Sequence, residues 1–206
     1  MSLSDRIFGF LLDWSMSSKV IARERPPALK DAHGDVLELG FGTGLNLSYF
    51  PAAVKRLTVV DPEDLMSKRV AQRIAAARFP VERAKLSAEH LPFEDSKFDC
   101  AVSTFTLCTI PDATAALREV RRVLKSGGSF LFLEHCLSEE PSVAKWQRRL
   151  DPIQRVIGRG CHLTRRIDQL ISEAGLEIAR LDRYVIAGKP KAEDVAGGLE
   201  AWRSES

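Results

Sequence analysis

Through the middle of this chain, short apolar runs rich in valine and leucine alternate with stretches whose apolar positions recur at helical spacing. Runs apolar on both faces suit strands buried in a parallel sheet, and the intervening stretches suit helices with one buried stripe. Strands are predicted near 35–39, 57–61, 82–86, 98–104, 128–135 and 176–183. Helices are predicted from Leu45 to Phe50, stopped by Pro51, from Glu63 to Arg78, from Ala113 to Leu124 and from Thr164 to Ala174. The third places Ala116, Leu117, Val120, Val123 and Leu124 on one stripe and takes Gly127-Gly128 as its C-cap and turn. The last opens on Thr164 as a cap and ends at Gly175. This alternation implies an α/β fold, a doubly wound sheet with right-handed crossovers and helices between the strands. Ligands of such sheets lie beyond the carboxyl ends of the strands, which gathers Gly40, Asp61, Ala88 and Thr104 around one crevice.

The two ends of the chain read differently. On a helix, Ile7, Phe8, Leu11 and Leu12 share one face, which Phe10 and Trp14 widen. The segment lacks the lysine-rich polar face of a surface-binding helix. It is expected to pack as a lid over the cofactor mouth, with transient membrane contact as the alternative. At the other end, nothing beyond Gly198 reads as a strand, so Leu199–Trp202 is expected as a short helix or tail and a seventh strand is left open. The organisation is one domain over residues 1–190, with a helical lid at 1–34, an insertion at 137–163 and a tail at 191–206.

Candidate chemistry begins at Val36-Leu-Glu38-Leu-Gly40-Phe41-Gly42-Thr-Gly44, where a buried strand ends in an acid and three alternating glycines. Glycine lets backbone amides approach a ligand and adopt positive φ, and a helix starting near Leu45 would aim its positive end at the same space. A dinucleotide fingerprint would need glycine at Leu45, so the spacing points away from a pyrophosphate and towards a cofactor presenting an amino acid and a nucleoside. Asp61 ends the second strand, where a carboxylate can accept from both ribose hydroxyls, with a helix N-cap as its structural alternative.

These segments, taken with Val60-Asp61-Pro62, Ser87-Ala88-Glu89-His-Leu-Pro-Phe93, Phe98–Ser103, Leu117–Gly128 and Phe130–His135, resemble a class I S-adenosylmethionine-dependent methyltransferase. Thr106–Cys108, Glu134-His135, Leu150-Asp-Pro152 and Gly160–Arg165 are similar to the branch holding thiol methyltransferases and bacterial phospholipid N-methyltransferases. The resemblance implies a Rossmann-like sheet in the order 3-2-1-4-5 with a sixth strand at the C-terminus. It implies S-adenosylmethionine as cofactor and S-adenosylhomocysteine as product. Gly40, Phe41, Gly42 and Gly44 would then line the methionine part, Glu38 would order the loop or accept from the ammonium, Asp61 would hold the ribose and Pro62 the adenine face. Ser87, Ala88, Glu89 and Thr104 would complete the pocket, although many relatives carry aspartate where Ser87 stands.

Composition narrows the rest. With 206 residues, 45% hydrophobic and a net charge of +2, the chain suits one globular domain and offers no extended nucleic-acid surface. Arg148-Arg149 and Arg165-Arg166 read as solvated faces. Cys100, Cys108, Cys136 and Cys161 include no C-x-x-C pair, so no metal site is expected, and Cys100 and Cys108 read as core packing. No apolar run reaches the roughly 18–20 residues needed to span a bilayer, and a soluble, cytoplasmic enzyme is expected. Candidate acceptor-side residues are His135, Cys161 and His162, facing a small thiol, amine or phospholipid-like substrate. A NAD-dependent oxidoreductase and a non-catalytic nucleoside-binding module are the alternatives.

Overall fold

The computed structural model describes residues 3–63, 65, 67–186 and 199–204. Three short helices, α1 (Leu3–Met16), α2 (Lys19–Ala22) and α3 (Arg25–Leu29), lead into the first strand. The strands are β1 (Gly34–Leu39), β2 (Val54–Val60), β3 (Val81–Ala84), β4 (Phe98–Thr104), β5 (Leu124–His135), β6 (Leu181–Ile186) and β7 (Leu199–Ser204), in one sheet ordered β3-β2-β1-β4-β5-β7-β6. The first five are mutually parallel in the order foreseen. Helices α4 (Lys68–Ala75), α5 (Ala113–Val123), α6 (Pro141–Ile157) and α7 (Ile167–Glu173) lie between them in the chain.

Strand alternation sorts the core into layers. Val36 of β1 packs with Leu57, Cys100 and Leu131, together with Leu29 of α3 and Val70 of α4. Its neighbours Leu37 and Leu39 face the opposite layer, with Val120 and Val123 of α5. The predicted stripe of α5 is buried throughout. Glu38 therefore occupies the Val36 side of a strand otherwise apolar there, and is itself buried.

Several expectations are corrected. A seventh strand does form: β7 runs antiparallel between β5 and β6, pairing Leu133 with Arg203 and Tyr184 with Ala201. Its sequence, Leu-Glu-Ala-Trp-Arg-Ser, has no run of β-branched residues, so its strand state comes from two flanking backbones rather than from propensity. The expected tail otherwise lies largely outside the described residues. The predicted helix at Leu45 is only a single 3₁₀ turn, Leu45–Ser48, too short to supply a sustained dipole. Helix α4 starts at Lys68 because Ser67 caps it, its hydroxyl accepting from the Val70 amide at 3.3 Å. Thr164 is no cap for α7, since its hydroxyl is committed to Asp151. Helix α5 passes into β5 at Leu124 without using Gly127-Gly128 as a stop. The 137–163 insertion is mostly helix, the 17-residue α6.

Candidate active site

The parallel register sets Leu39 beside Val60 and Ser103, so the residues just past them, Gly40, Asp61 and Thr104, emerge together at the carboxyl edge of the sheet. Gly40, Gly42 and Gly44 all have positive φ, at 72°, 53° and 74°. A Cβ at Gly40 would stand 2.2 Å from the Thr106 hydroxyl, so no side chain fits there. The Phe41 ring turns into the core under the Arg83 guanidinium, and its contribution to the crevice is its backbone.

Asp61 organises that loop. Its Oδ2 accepts from the Phe41 and Gly42 amides, each at 2.9 Å, and its Oδ1 accepts from the Glu63 amide at 2.9 Å. The last bond is an Asx turn and not a helix cap, because α4 begins several residues later. A carboxylate offers about four acceptor positions. Three are filled, so gripping both ribose hydroxyls requires a loop amide to let go. Pro62 is exposed beside it.

Beneath the loop lies a buried polar network that the sequence pattern did not reveal. Arg25 of α3 donates to Asn46 Oδ1 at 2.5 Å and to Thr104 Oγ1 at 3.4 Å, while Asn46 Nδ2 donates to Glu38 Oε1 at 2.6 Å and to Thr104 Oγ1 at 2.9 Å. Burial pushes the Glu38 carboxyl up to about 8, against the pull of Asn46 and Arg25. Glu38 Oε2 is buried with no partner among the described residues. Such an orphan acceptor at the loop fits a donor from outside the chain, and a cofactor ammonium, direct or through water, is one. Asn46 follows the glycines closely and is traceable in sequence as an amide where a helix interior was expected. Arg25 had no local signal.

Helix α1 lies across the loop. Asp13 accepts from Thr43 Oγ1 at 2.8 Å and from Arg73 at 2.5 Å, and also pairs with Arg69. Burial opposes the charge, yet Arg73, Thr43 and Arg69 outweigh it and hold the Asp13 carboxyl below the ordinary range. At its other end, Arg159 bonds Asp5 at 3.0 Å and Glu63 at 2.7 Å and sits 4.1 Å over the Phe8 ring. The inward face is Asp5, Phe8, Gly9, Leu12 and Asp13. Leu3, Ile7, Phe10, Leu11 and Trp14 are exposed, so Ile7, Leu11 and Trp14 do not face the crevice as the apolar count implied.

In the loop expected to meet the adenine, the Ser87 hydroxyl donates to Glu89 Oε2 at 2.7 Å, and Glu89 Oε1 accepts from the Asp112 amide at 2.7 Å. Glu89 thereby ties this loop to the start of α5, held below the usual carboxylate range by Ser87 and the Asp112 amide. Ala88 is buried between them.

The acceptor-side residues fall into two groups. His135 ends β5 and is buried, with Nε2 3.1 Å from Cys161 Sγ, which in turn lies 3.4 Å from Cys108 Sγ. Cys108 is thus part of this cluster and more than core filling. Burial works against a charged His135 ring, but Cys161 and Glu134 outweigh it and hold the imidazole above its ordinary value. The Cys108 contact and burial push the Cys161 thiol up. Glu134 is buried and accepts from Ser103 Oγ at 2.7 Å and the Thr106 and Leu107 amides at 2.9 and 3.1 Å. Burial nevertheless raises its carboxyl.

His162 stands apart. Its imidazole faces Asp151 at 3.8 Å, and its amide donates to the Cys108 carbonyl at 2.9 Å. Burial, with Arg165 and Arg155 nearby, pulls its ring below the ordinary value. Asp151 also receives the Leu163 amide at 2.7 Å, which makes the Leu-Asp-Pro and Cys-His-Leu-Thr motifs one clasp closing α6 onto the loop that follows it. Arg165, expected on a solvated face, instead turns inward to the carbonyls of Leu107 and Ile110.

A sheet of this order, with a glycine loop after β1 and an acid after β2, is the Rossmann-like architecture of nucleotide-binding α/β proteins. Residues 37–132 match the family described as a methyltransferase domain. The chain is 37% identical over 169 residues to thiol S-methyltransferase TMT1B of Rattus norvegicus, covering 78% of this chain and 69% of that protein. It is 34% identical over 150 residues to thiol S-methyltransferase TMT1A of Homo sapiens, covering 71% and 61%. With phosphatidylethanolamine N-methyltransferase of Cereibacter sphaeroides it shares 28% over 159 residues, 76% and 77% of the two chains. The chain therefore belongs to the S-adenosylmethionine-dependent methyltransferases. Its fold is shared with the 1,6-didemethyltoxoflavin-N1-methyltransferase of Burkholderia thailandensis, solved with S-adenosylhomocysteine bound, at a TM-score of 0.65, 18% identity and coverage of 99% and 85%.

Proposed function

We propose that this methyltransferase alkylates the sulfur of a small, apolar thiol. The observation behind this reading is the acceptor end of the crevice. There, past β4 and β5, the buried groups are Cys108, His135 and Cys161, and the neighbouring carboxylate of Glu134 is spent on Ser103, Thr106 and Leu107. An amine that arrives protonated needs a free base to take its proton before it can attack, whereas a thiol needs a neighbour that favours its anion. His135, held above its ordinary value, is such a neighbour. The thiol S-methyltransferases among the relatives support the same choice.

The cofactor supplies an electrophilic methyl group, so the chain's work is alignment and exclusion of water. The glycine loop, whose backbone admits close approach, and Glu38 would hold its amino-acid part, Asp61, on releasing a loop amide, its ribose, and Pro62 with the Ser87–Glu89 loop its base. Helix α1 acts as a lid whose inner Phe8 meets the acceptor, and His135 supports the developing thiolate. The exposed row Leu3, Ile7, Phe10, Leu11 and Trp14 favours a second reading, an acceptor such as phosphatidylethanolamine met at an apolar surface. A methyl-transfer screen with labelled cofactor over aliphatic thiols, amines, hydroxyls and phosphatidylethanolamine vesicles separates them. Thiols are expected to give the fastest transfer, and preferential labelling of the phospholipid overturns that choice.

A further inference from the structure

Three buried side chains with soft or borderline donor atoms converge at the acceptor end from three separate segments. Cys108 lies in the turn after β4, His135 ends β5 and Cys161 lies between α6 and α7. Their ligating atoms all lie within 4.8 Å of one another, with Nε2 and Sγ of His135 and Cys161 3.1 Å apart and the two sulfurs 3.4 Å apart. Zinc holds sulfur at about 2.3 Å and imidazole nitrogen at about 2.0 Å, which spaces tetrahedral ligands roughly 3.5–3.8 Å apart. The first two separations fall a few tenths of an ångström short of that spacing and the third pair lies within 4.8 Å, so side-chain adjustment on a fixed backbone would convert one arrangement into the other.

The backbone beneath is fixed for this. The His162 amide bonds the Cys108 carbonyl at 2.9 Å, and the Cys161 amide bonds the Gly158 carbonyl at 3.2 Å. A Cβ on Gly158 would stand 2.8 Å from the Cys161 Cβ, so only glycine admits Cys161 to its place.

We propose that Cys108, His135 and Cys161 form a binding site for a thiophilic divalent cation of the zinc class, with its fourth position open to the sulfur of the acceptor. Among the described residues three ligands are within reach, the count of a zinc site that keeps one position for substrate. Binding deprotonates both cysteines, and the His135 ring where it carries a second proton, these protons leaving to solvent with no change of oxidation state. A thiol entering the fourth position loses its proton on coordination, and the cation then stabilises the sulfur anion that attacks the methyl group. The fourth-ligand role rests on the thiol reading above; the cation site itself does not.

The test uses the full chain, reduced and stripped of metal, titrated with Co²⁺ and then Zn²⁺. One equivalent of Co²⁺ per chain is expected, with thiolate-to-cobalt charge transfer and the visible bands of tetrahedral cobalt, lost on Zn²⁺ addition. Cys108→Ser and Cys161→Ser should each weaken uptake by more than the roughly 10–100-fold that losing an outer-shell partner costs. Cys100→Ala, at a buried cysteine outside the cluster, should leave it unchanged. Thermal melts and S-adenosylhomocysteine binding verify that the variants fold, and if they do not, the wild-type stoichiometry and charge-transfer bands decide. Absence of saturable uptake, or uptake surviving both serine variants, overturns the site. An aliphatic thiol should perturb the cobalt bands, and unchanged bands overturn the open-position role. Thiol methylation at the same rate by metal-free and loaded protein overturns the role while leaving the proposed function intact. Cation uptake with no thiol methylation under any loading leaves the site standing and refutes the thiol acceptor.

Discussion

The two ends of the crevice are built in different ways. At the cofactor end, Gly40, Asp61 and Thr104 each follow a strand directly, so the pairing that aligns Leu39, Val60 and Ser103 aligns them as well. Charged and amide groups are then held by short hydrogen bonds running through Arg25, Asn46 and Glu38. At the end proposed for the acceptor, Cys108 and Cys161 stand 53 residues apart in sequence and meet where Asp151 and the Cys108 carbonyl hold the chain after α6. Sulfur and imidazole replace the charged network. The first end should fail by leaving buried polar groups unpaired, which costs stability and cofactor affinity. Failure of the second should alter acceptor handling and metal uptake while the fold survives.

The strongest challenge to this contrast is Arg25→Met. It strips the buried network of its cation and leaves Asn46 Oδ1 short of a donor, while Thr104 Oγ1 keeps the one from Asn46, so a loss of about 3 kcal/mol or more is expected in urea unfolding. A loss as large from Cys161→Ser would erase the distinction between the ends. Next in size, Asp61→Ala removes the acceptor of two loop amides and should weaken S-adenosylhomocysteine by about 1.5–3 kcal/mol in calorimetry. Thiol KM extrapolated to saturating cofactor should stay within error, and a matching rise there would show that the ends are not separable.

A smaller effect sharpens the chemistry of the first end. Because burial raises Glu38 to about 8, the folded state binds a proton that the unfolded state releases near 4.5. Stability from this group is complete below the unfolded value and is lost as pH rises through about 8, at no more than about 1.4 kcal/mol per pH unit. Glu38→Gln, which keeps an oxygen for Asn46, should flatten this decline between pH 5 and 8, in a window chosen from that shift. An unchanged slope would place the proton elsewhere. The smallest effects divide α1 by face: Phe8→Ala should raise the thiol KM several-fold, whereas Trp14→Ala should leave it unaltered in vesicle-free assays. Equal effects would mean that the helix does not sit on the crevice by its Phe8 face.

The legible parts of the site share one property. Gly40, Gly42 and Gly44 are demanded by backbone conformation at their own positions, and Asp61 by its place at a strand end, so each leaves a trace within a few residues. The roles were less legible than the positions. The Asp61 carboxylate proves to be occupied by the loop, Phe41 is core, and the Glu89 carboxylate ties two loops together. The motifs around Asp151, His162 and Arg165, which resemble the thiol and phospholipid branch, also hold the insertion in place. A motif records that a residue is needed, not whether it meets a ligand or a neighbouring carbonyl.

What the sequence determined by itself was therefore the part governed by short-range physics: the alternation that makes five parallel strands, the α5 stripe, the glycine turn and the order in which they occur. Tertiary structure decided what depends on surroundings. It chose which face of α1 turns inward, because Asp13 finds Arg73 and Arg69 while Phe8 finds Arg159, and an apolar count cannot foresee charged partners. It made a strand of Leu199–Ser204 by supplying two edges to pair with. It also brought Arg25 under Glu38, and Cys108 to Cys161 and His135, since closure of long loops and burial against distant segments leave no periodicity in the chain to read.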